Sequence, residues 1–130
     1  MQSTRRMRLQ SVIQDELSQV VPREVKDPRI PAVTFTEVQV TQDGSQATVF
    51  VSILGGSQGG LDGAPPLSDE AAKKRMKDCL AGLTSASGYL RRHLARVLSV
   101  RHIPTLIFRE DRGFENSLRV HELLKKISES

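Results

Sequence analysis

Residues 83–103 constrain the fold of this chain more than any other stretch, because a short break there separates two helical patterns. The break is Ser85-Ala86-Ser87-Gly88, and apolar residues recur at helical spacing on both sides of it. Gly88 predicts a bend, since glycine adopts backbone angles that a continuous helix excludes, and Ser85 or Ser87 is expected to cap the second helix. The apolar residues are Ala72, Met76, Cys79, Leu80 and Leu83 before the break, and Leu90, Leu94, Val97 and Leu98 after it.

Charge is sorted by segment along the chain. Residues 71–103 carry eight basic side chains and one acidic side chain, whereas residues 32–70 carry five acidic side chains and no basic one. The net charge of +4 is therefore concentrated around the predicted bend, where it orients the molecule toward a polyanion. Close basic pairs without acidic neighbours repel each other by roughly a few tenths of a kcal/mol, which a polyanion relieves. This segregation favours an RNA-binding face over an ordinary solvated helix.

Composition excludes several other classes of protein. A chain of 130 residues is long enough for one domain with its own core, and a single cysteine rules out a disulfide framework. No apolar run approaches the ~20 residues that span a bilayer, and the first residues lack the apolar core of a secretion signal. We therefore expect a cytoplasmic protein without membrane contact. With four phenylalanines, one tyrosine and no tryptophan, stacking of bases on an aromatic platform is not expected.

The first half of the chain predicts a helix followed by two strands. Ser3 or Thr4 caps a helix with a regular apolar stripe, and Pro22 is expected to end it. Alternating apolar residues then change phase near residues 36–37, which indicates a β-bulge, and residues 42–45 (QDGS) predict a hairpin turn. The helical stripe is Leu9, Val12, Ile13, Leu17, Val20 and Val21, and the strands carry Val33, Phe35, Val38 and Val40, then Ala47, Val49, Val51 and Ile53.

Residues 22–31 form a proline-punctuated connector that admits two interpretations. In one, Lys26 and Arg29 contact a nucleic-acid backbone. In the other, the segment is a solvated linker with a turn that begins at Asp27-Pro28. The sequence favours neither.

The second half predicts helices around a third strand. Five glycines and two prolines in residues 55–68 predict a flexible loop, and Ser68 is expected to cap the next helix. After the bent pair, residues 105–108 predict a short strand, and a final helix carries one apolar stripe from Phe114 to Ile127. The order α-β-β-α-bend-α-β-α predicts an α+β fold, with a small three-stranded sheet covered by helices on one face.

No constellation of residues in the sequence supports catalysis or metal binding. His93, His102 and His121 lack the spacing of metal ligands, and Cys79 occupies a core-facing helical position without a histidine partner. A formal GxxG match at residues 56–59 follows a strand instead of joining two helices, so it does not predict a phosphate clamp. We expect a protein that is not an enzyme and that uses no cofactor or metal.

Two other functions stay open on the residues alone. A helix-turn-helix DNA-binding regulator would use residues 87–98 as its recognition helix, although that segment contains no Asn or Gln to read bases. A protein-interaction module would instead bind an acidic partner, and nuclease treatment would leave that binding unchanged.

A set of short motifs, each weak by itself, extends in order over nearly the whole chain. They are Arg5-Arg6, Asp15-Glu16-Leu17, residues 26–30 (KDPRI), the hairpin of residues 33–54, Ala86-Ser87-Gly88 with residues 89–91 (YLR), residues 100–108 (VRHIPTLIF) and residues 111–124. In their order and spacing they resemble the ribosome-binding factor A family, which comprises bacterial assembly factors of the small ribosomal subunit.

The resemblance implies a KH-like fold of type II topology, in which an AxG bend, matched here by Ala86-Ser87-Gly88, replaces the usual GxxG clamp. It also implies binding to the free small (30S) subunit and its 16S rRNA, assistance in late maturation and processing of that rRNA, and a link to growth in the cold. The implied partners are 16S rRNA, neighbouring ribosomal proteins and other assembly factors such as GTPases. Residues 1–130 would form a single KH-like RNA-binding domain that acts as a monomer.

These observations together predict an RNA-binding site around the bend. Guanidinium groups match the geometry of phosphates, lysines extend the contact surface, and small residues let an RNA backbone approach. The predicted phosphate-facing residues are Arg91, Arg92, Arg96 and Arg101, the additional lysines are Lys73, Lys74 and Lys77, and the small residues are Ser87 and Gly88.

Overall fold

A computed structural model describes residues 3–54 and 68–111 and confirms the predicted order of elements within them. The helices are α1 (Ser3–Glu24), α2 (Asp69–Ser85) and α3 (Ser87–Val97), and the strands are β1 (Val33–Val40), β2 (Gln46–Ile53) and β3 (Thr105–Glu110). The predicted loop up to residue 67 and the predicted final helix lie outside the described residues. No helix in the described part is both long and apolar enough to cross a membrane.

The three strands form one sheet in the order β1-β2-β3. β1 and β2 are antiparallel, with the predicted bulge between Phe35 and Glu37, and β2 and β3 are parallel. The hairpin turn is confirmed, and Gly44 supplies its left-handed residue with a φ of 74°. β3 is two residues longer than predicted, because its pairing with β2 continues as far as Val51.

The core lies between one face of the sheet and the three helices. In β2, Ala47, Val49 and Val51 are fully buried, while the residues between them are only half-buried. Alternate residues of a strand point to opposite faces, so one face of the sheet is covered and the other is open. The prediction of helices on one face is thus confirmed. The remaining core residues are Leu9, Ile13, Leu17, Val20, Val21, Phe35, Val38, Val40, Ile53, Cys79, Leu83, Leu90, Leu94, Leu106 and Phe108.

α1 continues two residues past Pro22, so the prediction that this proline ends the helix is wrong. A proline inside a helix lacks an N–H donor and crowds the carbonyl group four residues earlier. Here it lies in the last turn, and the Val25 N–H still donates to the Val21 carbonyl at 3.1 Å. Burial of Val20 and Val21 in the core offsets the cost of the proline.

Candidate nucleic-acid interface

The break between α2 and α3 lies within the predicted residues 85–88, and one residue forms it. Ala86 separates the two helices, with a φ of −85° and a ψ of −4°. Its N–H group is shared among the carbonyls of Gly82, Leu83 and Thr84. Such shared hydrogen bonds are common where a helix ends, and they tighten its last turn.

Two details of the predicted bend are wrong. Gly88 lies in the first turn of α3 and does not have a positive φ, so the bend does not use the backbone freedom of glycine. Neither Ser85 nor Ser87 caps α3, because its cap residue is Ala86, which makes no side-chain hydrogen bond. The Ser87 hydroxyl instead donates to the Thr84 carbonyl at 2.7 Å, since it faces back along the preceding turn.

Gly88 is exposed, and the space on its outer side is open among the described residues. A Cβ atom built on Gly88 would meet the Nη1 atom of Arg92 at 3.9 Å, which is ordinary van der Waals distance. Packing within the described part of the chain therefore gives no reason for a glycine here. A backbone without a side chain in such a place admits the close approach of another backbone.

Six of the seven predicted basic residues lie on the exposed sides of α2 and α3, and Arg101 is exposed in the segment between α3 and β3. Leu90 and Leu94 are fully buried, so Arg92 and Arg96, on the other side of α3, point away from the core. Val97, predicted to belong to the apolar stripe, is 45% exposed, because it lies in the last turn of α3. We call the exposed basic residues the basic face, which consists of Lys73, Lys74, Lys77, Arg91, Arg92, Arg96 and Arg101.

Arg91 has a backbone partner within the fold. Its Nη2 atom donates to the Ile103 carbonyl at 3.0 Å and so holds the segment before β3 against α3. An RNA phosphate would compete with that carbonyl. Arg96 lies near the Tyr89 hydroxyl, and Arg92 lies beside Gly88. Arg92 is therefore placed beside the open glycine for an external anion, and Arg96 follows it one turn later on the exposed side of α3.

Two polar contacts join α1 to α3, and the sequence does not predict either. His93 Nε2 lies 2.9 Å from Glu16 Oε2, with both side chains partly buried. The Tyr89 hydroxyl donates to the Glu24 carboxylate, and this bond raises the pKa of Tyr89. Glu24 follows Glu16 in α1, whereas its partner Tyr89 precedes His93 in α3, so the two helices are antiparallel. His93, although it lies among the basic residues of α3, is directed toward α1.

The connector after α1 makes the predicted turn at Asp27-Pro28 and stays largely exposed, but Asp27 and Ile30 also pack on α2. A Cβ atom on Gly82 would lie 2.9 Å from Ile30 Cγ1 and 3.2 Å from Asp27 Oδ2, which shows how closely the two segments approach. Arg29 donates to the Asp27 carboxylate from Nε at 3.0 Å and from Nη2 at 2.7 Å. The hydrogen bonds from Arg29 lower the pKa of Asp27. Arg29 Nη2 also lies 3.4 Å from Ser85 Oγ, at the end of α2.

Cys79 and the histidines do not form a reactive cluster in the described residues. Cys79 is fully buried, and burial raises the pKa of its thiol to about 11, so the thiol stays protonated at neutral pH. No three His, Cys, Asp or Glu side chains in residues 3–54 and 68–111 are grouped so that they could hold a metal ion. The exposed guanidinium and ammonium groups of α2 and α3, with Arg92 beside an open glycine, suit the binding of phosphates.

Comparison with known proteins agrees with the fold and with the resemblance. A family model described as ribosome-binding factor A matches residues 5–124. Ribosome-binding factor A from Halothermothrix orenii is 36% identical over 129 residues, which cover 99% of this chain and 93% of the relative.

A solved structure and a homology model fitted into a map agree with the KH-like fold. The solution NMR structure of a ribosome-binding factor A from Thermotoga maritima is 29% identical, has a TM-score of 0.64, and covers 87% of this chain and 92% of that one. A homology model of the Thermus thermophilus factor, fitted into a cryo-electron microscopy map of its complex with 30S, is 25% identical with a TM-score of 0.54, and the match covers 81% of this chain and 93% of that one. The family match and the full-length similarity lead to one conclusion: the chain belongs to the ribosome-binding factor A family.

Proposed function

We propose that this protein binds the free small ribosomal subunit through 16S rRNA and assists late maturation and processing of that rRNA. The observation that carries this proposal is the bend itself. Exposed Arg92 lies there beside Gly88, whose outer side is open among the described residues, and exposed Arg96 follows one turn after Arg92 on α3. The relative from Thermus thermophilus, seen in complex with 30S, supports the same partner.

The basic face would bind RNA through phosphates. Guanidinium groups donate paired hydrogen bonds to phosphate oxygens, and each contact releases counterions, so affinity falls steeply as salt rises. The three lysines of α2 extend the contact away from the bend as point charges. Of the four described aromatic residues, Phe35 and Phe108 are buried and Phe50 is partly buried, which leaves Tyr89 as the exposed ring, so the recognition would rest mainly on the shape of the RNA backbone.

The protein would act by conformational selection and not as an enzyme. It would bind one conformer of the immature rRNA better than the others and thereby raise the population of that conformer. Its release would follow when maturation removes that preference. No cofactor or metal enters this scheme. Neighbouring ribosomal proteins and assembly GTPases would be further partners of a cytoplasmic monomer whose chain forms one KH-like domain.

Sedimentation with purified subunits tests the proposal. The wild-type protein, Arg92→Glu/Arg96→Glu and the control Arg109→Glu are mixed with small subunits, large subunits or joined ribosomes over a salt series. Arg109 is exposed on β3, in register with Phe50 on the open face of the sheet, so its reversal changes charge away from the bend. Arg91 is left intact because its contact with the Ile103 carbonyl holds the segment before β3.

We expect selective binding to free small subunits that the double variant weakens at least tenfold and that the control retains. Equal binding to every particle would show that the basic face binds RNA only through non-specific electrostatic attraction. Binding that survives nuclease treatment of the particles would favour a protein partner of acidic surface. Preference for a duplex DNA site over all ribosomal particles would favour the DNA-binding alternative.

A further inference from the structure

The part of the connector that follows α1, residues 25–31, is held by a compact set of hydrogen bonds that centre on one carboxylate. Asp27 accepts from the Arg29 backbone N–H at 2.9 Å, from its Nε at 3.0 Å and from its Nη2 at 2.7 Å. The Ile30 N–H donates to the Asp27 carbonyl at 3.0 Å. Three donors of one residue on one carboxylate leave the Arg29 side chain little rotational freedom.

This held arginine meets the end of α2 immediately before the bend. Arg29 Nη2 reaches the Ser85 hydroxyl at 3.4 Å, and Ser85 is the last residue of α2. One turn earlier, Gly82 provides room for Ile30 and Asp27, since any Cβ atom there would overlap Ile30 Cγ1. The connector therefore contacts α2 at two successive turns next to Ala86.

The other side of the bend is held by α1, to which the connector is directly joined. Glu16 contacts His93 and Glu24 contacts Tyr89, so α1 holds α3 at two places. The Val25 N–H bonds to the Val21 carbonyl, and the connector thus continues the last turn of α1. One continuous segment, α1 with its connector, consequently contacts the helices before and after the bend and sets their relative orientation.

Arg29 is poorly suited to bind a phosphate itself. Its Nε edge is occupied by Asp27, whose carboxylate cancels its charge. The pKa of Arg29 is raised, first by its hydrogen bond to Asp27 and then by the negative charges of Asp27 and Asp78. Asp78 is thus a second acidic group that acts on Arg29. A phosphate at Arg29 would have to approach both carboxylates. An indirect role through α2 agrees better with these charges than a direct contact.

We infer that Asp27 and Arg29 are positioning residues, which hold the end of α2 and thereby orient the arginines of α3 toward RNA. This inference rests on the proposed function and adds to it the residues that set the geometry of the bend. It predicts that loss of the ion pair weakens RNA binding at every salt concentration equally, because no phosphate contact disappears.

The test measures binding to small subunits and to a fluorescent 12-nucleotide polyuridine RNA at several salt concentrations. The quantity compared is the salt slope, which is the slope of the logarithm of the binding constant against the logarithm of the salt concentration. The variants are Arg29→Gln, Asp27→Asn and Arg92→Gln, with Arg109→Gln and Asp15→Asn as matched controls that remove the same charges from exposed sites elsewhere. Circular dichroism at the assay temperature shows that each variant is folded. Amide NMR shifts of residues 85–90 report the geometry of the bend, which a loss of stability alone would not move.

We expect Arg29→Gln and Asp27→Asn to weaken binding about three- to tenfold with an unchanged slope, and to shift the amides of residues 85–90. Arg92→Gln should make the salt slope less steep by about 0.7–0.9, which is the value of one phosphate contact. The result for Asp27→Asn is decisive, since removal of a negative charge near a polyanion should strengthen binding if charge alone mattered, as Asp15→Asn should show.

Three outcomes would overturn the inference. A lower slope in Arg29→Gln would make Arg29 a phosphate contact. Wild-type affinity in folded Asp27→Asn would leave the ion pair a purely stabilising role. Wild-type protein that binds neither subunits nor RNA would remove the proposed function together with the inference, whereas the first two outcomes leave the proposed function standing.

Discussion

Gly82 and Gly88 lie on opposite sides of Ala86, and the structure gives them opposite surroundings. A Cβ atom on Gly82 would lie 2.9 Å from Ile30 Cγ1, closer than two carbon atoms can approach without a clash, whereas a Cβ atom on Gly88 would have its nearest neighbour among the described residues at 3.9 Å. The first glycine is therefore required by the fold of the chain. The described residues give no such reason for the second glycine, whose open side leaves room for the close approach of another molecule.

The same substitution at these two glycines should have opposite effects. Gly88→Ala should raise the free energy of unfolding by about 0.5–1 kcal/mol, because alanine favours a helix, and should weaken binding to small subunits about tenfold. Gly82→Ala should lower the free energy of unfolding by about 1–3 kcal/mol through overpacking against Ile30. Urea denaturation and sedimentation measure the two effects, and wild-type binding by Gly88→Ala would contradict a close RNA approach at this site.

Two glutamines of α1 each make a side-chain hydrogen bond to one backbone group on the outer edge of β1. Gln14 Nε2 donates to the Phe35 carbonyl at 2.8 Å, and Gln10 Oε1 accepts from the Val40 N–H at 2.9 Å. Gln14→Ala should lower the free energy of unfolding by about 1 kcal/mol, because it leaves a partly buried carbonyl without that donor. It should also promote self-association, since an unpaired strand edge pairs with other chains.

Chemical denaturation and sedimentation velocity over a range of concentrations check this prediction. Gln19→Ala is the matched control, because Gln19 is exposed on the same helix. Equal stability and equal monomer content in Gln14→Ala and Gln19→Ala would show that the edge does not depend on Gln14.

Asp43 should make the hairpin turn sensitive to acid. Hydrogen bonds from Thr41 and Ser45 lower the pKa of Asp43 from 3.8 to about 2. Because the folded-state pKa is the lower one, the stabilisation by Asp43 is complete above about pH 4 and is lost as the pH falls toward 2. The melting temperature of Asp43→Ala should therefore be lower than that of the wild type at pH 7, and the difference should shrink between pH 4 and pH 2. A difference that stays constant over this range would contradict the assigned hydrogen bonds.

Cys79 should react with thiol reagents only when the protein opens. Its side chain is fully buried, and its pKa is raised to about 11 by burial, so both access and thiolate are lacking at neutral pH. Reaction with a disulfide reagent at pH 7.5 should be slow in the native protein and fast in denaturant. Because this is the single cysteine of the chain, one kinetic phase reports it directly, and fast native labelling would contradict the buried position.

Period and turn chemistry in the sequence were sufficient to predict the elements of the described fold. The phase change around residues 36–37 gives the bulge, Asp43-Gly44 the hairpin turn, and Ser68 the start of α2, where its Oγ accepts from the Ala71 N–H at 3.2 Å. Each of these signals depends on neighbours close in the chain, so the local sequence contains it completely. The exposure of the basic residues follows as well, because the apolar stripe of a helix determines which side faces the core.

Contacts between distant segments were decided by tertiary structure alone. Glu16 and His93, or Arg29 and Ser85, are far apart in the chain, and no local pattern marks their pairing. Pro22 within α1 and the bend at Ala86, expected at Gly88, are likewise settled by packing against other elements. The sequence thus determined which groups this protein presents to a partner. Only the tertiary structure determined how those groups are held, because the orientation of α3 depends on α1 and the connector that approach it across the fold.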